Sequence, residues 1–128
     1  PKNLSLEKAS SQWGRLAGFV LALSQGDAKF VAKCFEDSVA EPARKHLIEN
    51  FSNVKEAALL AGALGCSISG SGPSVFTICT SLQIAQKVQQ AIQEAWKQEK
   101  IDSFGIVCQI PCSGGRVVSN EKEILQYS

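Results

Sequence analysis

The sequence predicts an α+β domain in which an antiparallel hairpin is covered by helices. Three observations predict it. Apolar residues recur at helical spacing through the first half of the chain and again over residues 81–98. Two short β-prone runs, residues 64–69 and 74–79, flank a tight Gly-rich loop. Another β-prone run follows at 105–110, so the order of elements is that of an antiparallel sheet with helices packed on one face.

Each element has its own signal. Leu16, Phe19, Val20 and Leu23 mark the buried stripe of a first helix, which begins within residues 4–10 and stops at Gly26. Asp27 can cap a second helix whose buried positions are Phe30, Val31, Cys34 and Phe35. Glu41-Pro42 reads as a break or kink, because proline steers the residue before it away from helix. A third helix is expected over residues 53–62, with Asn53 as cap and Glu56 three residues on. Ile84, Ala85, Val88, Ala91, Ile92, Ala95 and Trp96 form a clean stripe on a helix capped by Ser81 and ending near Gln98. Trp13 and Trp96 fall on helices and read as packing residues. A short strand is expected at 116–119 after the Ser113-Gly114-Gly115 turn, and residues 120–128 read as a polar tail. The whole corresponds to a ferredoxin-like sandwich, a single domain over residues 1–128. That fold hosts many unrelated activities and does not by itself give function.

Composition narrows the function classes. A chain of 128 residues is long enough for one real core. Its 13 basic and 12 acidic residues leave no basic block, which argues against a nucleic-acid partner. No stretch is long and apolar enough to span a bilayer. The five cysteines are an odd count without a Cys-x-x-Cys pair, and four sit in apolar runs where a thiol packs as a small hydrophobe. Cys108 and Cys112 lie four apart but read as neither disulfide nor zinc ligands; a reducing, cytoplasmic setting fits best. The chain opens on Pro1 with no initiator Met and no secretory pattern, so it is expected to be a fragment.

The most informative segment is the loop Ser69-Gly70-Ser71-Gly72-Pro73-Ser74. Glycines there can take positive φ and bare their N–H groups, which makes a nest for phosphate or carboxylate. The loop reads equally well as a plain hairpin connection. It is not a Walker loop, since Pro73-Ser74 stands where Lys-Ser/Thr would follow. Nor is it a dinucleotide fingerprint, because Val75-Phe76-Thr77-Ile78 reads as strand, not helix.

A second segment, Glu41-Pro42-Ala43-Arg44-Lys45-His46, clusters basic side chains on a connection between helices. The Arg44 guanidinium is a planar fork that fits a carboxylate with two hydrogen bonds. On composition alone Arg44 reads more readily as a solvated side chain, or as one paired with Glu41. His46 is the single histidine and has no ligand-spaced partner, so it is a poor metal candidate. Glu36, Asp37 and Glu41 form no recognisable acid/base pair.

Together these segments resemble a known family. Gly65-Cys66-Ser67-Ile68 running into Ser69-Gly70-Ser71-Gly72-Pro73-Ser74 looks like the third motif of the GHMP small-molecule kinases. Glu41-Pro42-Ala43-Arg44, followed by Leu47-Ile48 and Phe51, resembles the Glu-Pro-x-Arg segment of the homoserine-phosphorylating branch. Leu16-Ala17-Gly18-Phe19 and Gly115-Arg116-Val117-Val118 also match the family's style, and the likeness spans roughly residues 12–120.

The resemblance implies the C-terminal domain of a kinase that moves the ATP γ-phosphoryl group to the homoserine hydroxyl, giving O-phosphohomoserine for threonine synthesis. It implies that Arg44 binds the substrate α-carboxylate and that residues 69–74 support the loop holding the nucleotide phosphates. ATP and Mg²⁺ are implied as cofactors, bound mainly by an N-terminal domain that this chain would need as partner. The family's main phosphate loop, Pro-x-x-x-Gly-Leu-Gly-Ser-Ser-Ala, does not occur in these residues. The chain alone is therefore expected to be inert, with no metal ligand or catalytic group of its own. A homodimer stays open. So do two other readings, a GHMP kinase acting on another alcohol and a non-catalytic ferredoxin-like module that binds an amino acid.

Overall fold

The computed structural model describes residues 3–110. Ser5 accepts the Lys8 N–H on its hydroxyl and opens α1 (Leu6–Gln25), which ends at Gly26 as expected. Asp27 accepts the Phe30 N–H at 3.0 Å and opens α2 (Ala28–Cys34), which packs back on α1. Ala22 and Val31 are the residues this pair buries. Phe30, Cys34 and Phe35 are only half-buried, and Phe35 is the cap that ends α2. The helical reading of α1 holds, but the burial assigned to its stripe does not. Leu16, Val20 and Leu23 are exposed, as is Trp13 at 64 %. Periodicity shows that these side chains share a face; it does not supply a neighbour to cover them.

The Glu-Pro segment is not a break. It forms a short helix, α3 (Ala40–Arg44), with Pro42 in its first turn. The Asp37 carboxylate takes the N–H groups of Val39, Ala40 and Glu41 at 2.8, 2.8 and 3.0 Å. The next residue is proline, which has no N–H to satisfy, so the start of the helix leaves no donor orphaned. A single 3₁₀ turn (Lys45–Leu47) then leads to α4 (Phe51–Leu60). That helix starts two residues earlier than predicted, from Asn50 at φ 57, with no side-chain cap bond. Asn53 lies inside it and donates its side-chain amide to the Asn50 side chain.

Strands β1 (Gly65–Ile68) and β2 (Val75–Ile78) pair antiparallel, with Cys66 opposite Thr77 and Ile68 opposite Val75. Ser81 accepts the Ile84 N–H and opens α5 (Leu82–Gln98), where none of the seven stripe residues is exposed. Ala58, Ala63, Cys66 and Val88 form the buried cluster that joins α4, β1 and α5. Chain alternation sends Ser67 and Phe76 to the opposite face, where Phe19, Phe35 and Phe76 meet edge to face at 5.7 and 5.6 Å. The architecture is α+β, with an antiparallel sheet that has two strands among the described residues.

Residues 105–110 form no strand. Phe104, Ile106 and Ile110 are exposed, and the Ser103 and Gly105 carbonyls accept from the side-chain amides of Gln93 and Gln89 on α5. Cys108 is exposed too, against the expectation of a buried thiol, while Cys66 is buried and Cys34 and Cys79 lie between; all four are free thiols. The expected strand at 116–119, the motif at 115–118, Cys112 and the tail lie outside the described residues. No described helix is long and apolar enough to cross a membrane.

A Cβ at Gly65 would fall inside the Phe35 ring, itself held between Phe19 and Phe76. Gly65→Ala is expected to destabilise the fold by roughly 1–3 kcal/mol, the usual cost of overpacking. Urea unfolding of the two proteins checks it; equal midpoints would remove the aromatic contact from the account of the fold.

Candidate functional site

The hairpin connection is shaped by two hydrogen bonds of its own. The Ser69 N–H donates to the Ser74 carbonyl at 2.8 Å, and the Gly72 N–H to the Ser69 carbonyl at 3.1 Å. Gly70 sits at φ +62 and Gly72 at φ +83, and the Gly72–Pro73 peptide is cis. Those positive φ angles are what the two glycines are for. Gly70 and Ser71 spend no N–H on a backbone acceptor among the described residues. The connection is therefore a turn with exposed donors at its tip.

Underneath lies Ile48, which is buried beside the 3₁₀ turn. Its Cδ1 would stand 3.0 Å from a Cβ at Gly72, so the loop rests directly on it. The same stretch of chain carries Arg44, the last residue of α3. Arg44 Nη1 donates to the Gly70 carbonyl at 2.9 Å. The two motifs singled out in the sequence thus meet in space, although 26 residues separate them. The arginine is exposed, and one of its five N–H donors is engaged on the loop.

Glu41 does not pair with Arg44. Both its carboxylate oxygens accept from Lys55 Nζ on α4, at 2.6 and 2.8 Å, and both side chains are mostly buried. This pair was not legible in the sequence. The nearest signal is the adjacent Lys55-Glu56 pair on α4, of which Lys55 is the less exposed. Cys66 lies within reach of the same charges. Burial pushes its thiol up from the ordinary 9.0 to about 11, with Lys55 pulling it down and Glu41 pushing it up more weakly. A thiol held protonated in this way is a packing group and not a nucleophile.

His46 is exposed beside the 3₁₀ turn and lines, with Lys45, Asn50 and Asn53, an open depression of about 250 Å³. Neither Arg44 nor the Gly-rich loop contributes to that depression. Trp96 has a use beyond packing, since its indole N–H donates to the Glu49 carbonyl and ties α5 to the turn before α4.

The sequence pattern of the family described as "GHMP kinases C terminal" matches residues 19–98, a span that contains α3, α4, the Gly-rich loop and α5. The chain belongs to that family. It is 42 % identical over 121 residues to the homoserine kinase of Chlorobaculum tepidum, covering 93 % of this chain and 37 % of that protein. It is 38 % identical over 120 residues to the homoserine kinase of Chlorobium phaeobacteroides, covering 92 % and 38 %. The crystal structure of a homoserine kinase from Cytophaga hutchinsonii superposes with a TM-score of 0.78 at 46 % identity, over 80 % of this chain and 32 % of that one. The chain thus spans little more than a third of the length of the curated relatives it matches.

Two outcomes follow from this geometry. Gly70 has open space around its Cα, so Gly70→Ala is expected to cost only about 1 kcal/mol for the left-handed backbone. Gly72→Val meets Ile48 and Ile68 as well, and is expected to cost roughly 2–3 kcal/mol. Thermal unfolding of both variants tests the ranking, and the reverse order would mean that the loop does not rest on Ile48. The second outcome concerns pH. The folded thiol of Cys66 ionises later than the unfolded one, so its contribution is intact below pH 9 and is lost as pH rises toward about 11. The loss is at most about 3 kcal/mol. Wild type should lose more stability than Cys66→Ala across that window, and parallel pH profiles would remove the burial account.

Proposed function

We propose that this chain is the C-terminal part of an enzyme that phosphorylates the side-chain hydroxyl of homoserine with ATP, giving O-phosphohomoserine for threonine biosynthesis. The observation that carries the reading is the hydrogen bond from Arg44 to the Gly70 carbonyl. It holds a carboxylate-binding fork against a loop whose exposed N–H groups suit phosphate, and a kinase acting on an amino acid needs those two elements side by side. The similarity to homoserine kinases supports the same substrate.

In this proposal the Arg44 guanidinium binds the α-carboxylate of homoserine through the donors not spent on Gly70. Residues Ser69, Gly70, Ser71, Gly72, Pro73 and Ser74 back the phosphate-binding loop, with the Gly70 and Ser71 N–H groups available to phosphate oxygens. ATP with Mg²⁺ supplies the γ-phosphoryl group, whose bond to the homoserine oxygen forms as its bond to ADP breaks, the hydroxyl proton passing to solvent. Catalysis of such a transfer is chiefly positioning and charge stabilisation, so a carboxylate clamp contributes by fixing the attacking hydroxyl. The main phosphate loop and the metal site belong to an N-terminal domain, and the chain alone is inert. A reducing cytoplasmic setting suits the free thiols.

In the full-length protein, Arg44→Ala is expected to raise the homoserine KM roughly thirtyfold, about 2 kcal/mol for a charged hydrogen-bonded pair. The KM for ATP should move less than about twofold. Steady-state kinetics decides: an unchanged homoserine KM would sink the role of Arg44.

A further inference from the structure

Glu41 and Arg44 stand three residues apart on one short helix, a spacing at which an acid and a base are surface neighbours. Left to itself, the Glu41 carboxylate is the natural partner of Arg44 and a competitor for any carboxylate ligand. The structure shows it elsewhere. Lys55 reaches from α4 and engages both Glu41 oxygens at 2.6 and 2.8 Å. The pair is shielded, with Lys55 22 % and Glu41 14 % exposed in their side chains. In that setting a charge without its partner is costly, so Glu41 stays on Lys55. The guanidinium meanwhile points one donor at the Gly70 carbonyl and lies exposed.

We infer that Lys55 is a positioning residue for substrate binding: by sequestering the Glu41 carboxylate on α4, it keeps the Arg44 fork available to a ligand carboxylate. This rests on the proposed role of Arg44 and adds a residue to it. The role is electrostatic diversion and not simple bracing of α3, and the two make different predictions. If Lys55 only braces the helix, stranding Glu41 without its partner disturbs the fold, and kcat and the ATP KM suffer along with the homoserine KM. If it diverts Glu41, the damage is confined to the homoserine KM, and removing the carboxylate as well repairs it.

The experiment is steady-state kinetics on the full-length protein with Lys55→Met, Glu41→Gln and the double variant. Lys55→Met frees Glu41 to pair with Arg44, so the homoserine KM is expected to rise about tenfold, with kcat and the ATP KM changed less than about twofold. The double variant should return the homoserine KM to within about threefold of wild type, and Glu41→Gln alone should leave it within about twofold. A wild-type KM in Lys55→Met, a kcat or ATP KM damaged as much as the homoserine KM, or a double variant no better than Lys55→Met, overturns the inference. Should Lys55→Met fail to fold, Glu41→Gln decides alone, because a KM rise matching that of Arg44→Ala means that the pair braces the site. Failure of the function itself looks different: wild type would then not turn over homoserine at all.

Discussion

Everything near the site depends on how closely β1 can approach the two helices beneath it. Ala58, Ala63 and Cys66 are small, and with Val88 they let α4, α5 and β1 pack closely together. Val88 is fully buried there, worth roughly 1.5–3 kcal/mol relative to exposure. That contact fixes the hairpin on the helices, and the hairpin carries the Gly-rich connection at its tip. The connection descends onto Ile48, and Ile48 belongs to the turn that follows Arg44. A larger residue in the small-residue cluster would lift β1 and move the loop off its seat. The spacing at the core thereby sets the spacing at the tip.

The charges are arranged at the edge of this core. Glu41 and Lys55 are too buried to be water-solvated ions, and Cys66 is buried near them, so the thiol stays protonated while the ion pair stays paired. Such a pair contributes little to net stability, because desolvation cancels most of the attraction. Its effect is on choice of partner. Once Lys55 holds Glu41, the neighbouring arginine has no acid on its own helix to turn to, and its available acceptor is the Gly70 carbonyl.

Much of this was readable from residues alone. The α5 stripe, the Ser81 cap, the end of α1 at Gly26 and both strands follow from period and punctuation, since each signal is local. Where the signal was misleading, the reason is also local. Asn53 with Glu56 imitates a capping box, but the chain enters α4 through Asn50 in the left-handed region with no side-chain cap, so the pattern marks the wrong residue. Pro42 looks like a stop, yet Asp37 supplies the acceptors that make it a start. Residues 105–110 are β-prone, but the Gln89 side chain of α5 takes the Gly105 carbonyl there. The α1 stripe was right as a face and wrong as a buried one. At the site, Arg44 and the glycines each announce themselves by type and spacing. Their contact does not, and neither does the Glu41–Lys55 pair, because both join segments that only tertiary folding brings together.

The choice of arginine for this place has a physical reason. A lysine could meet the Gly70 carbonyl, or it could meet a carboxylate, but as a point charge it has no fixed second edge. A guanidinium can bond the loop with one N–H while its planar geometry holds the others in a known direction. Exposed arginine side chains ordinarily carry about 2 kcal/mol of rotamer freedom, part of which is lost on binding a ligand. The bond to Gly70 removes some of that freedom beforehand, so the carboxylate of the proposed substrate would meet a fork already oriented and lose less on arrival. The same bond makes the loop sensitive to what the arginine holds. A carboxylate that draws the guanidinium toward itself would also pull on the Gly70 carbonyl, and with it the positive-φ segment whose Gly70 and Ser71 N–H groups have no backbone acceptor among the described residues. In the proposed role of Arg44, carboxylate binding and loop geometry are two ends of one hydrogen-bonded unit.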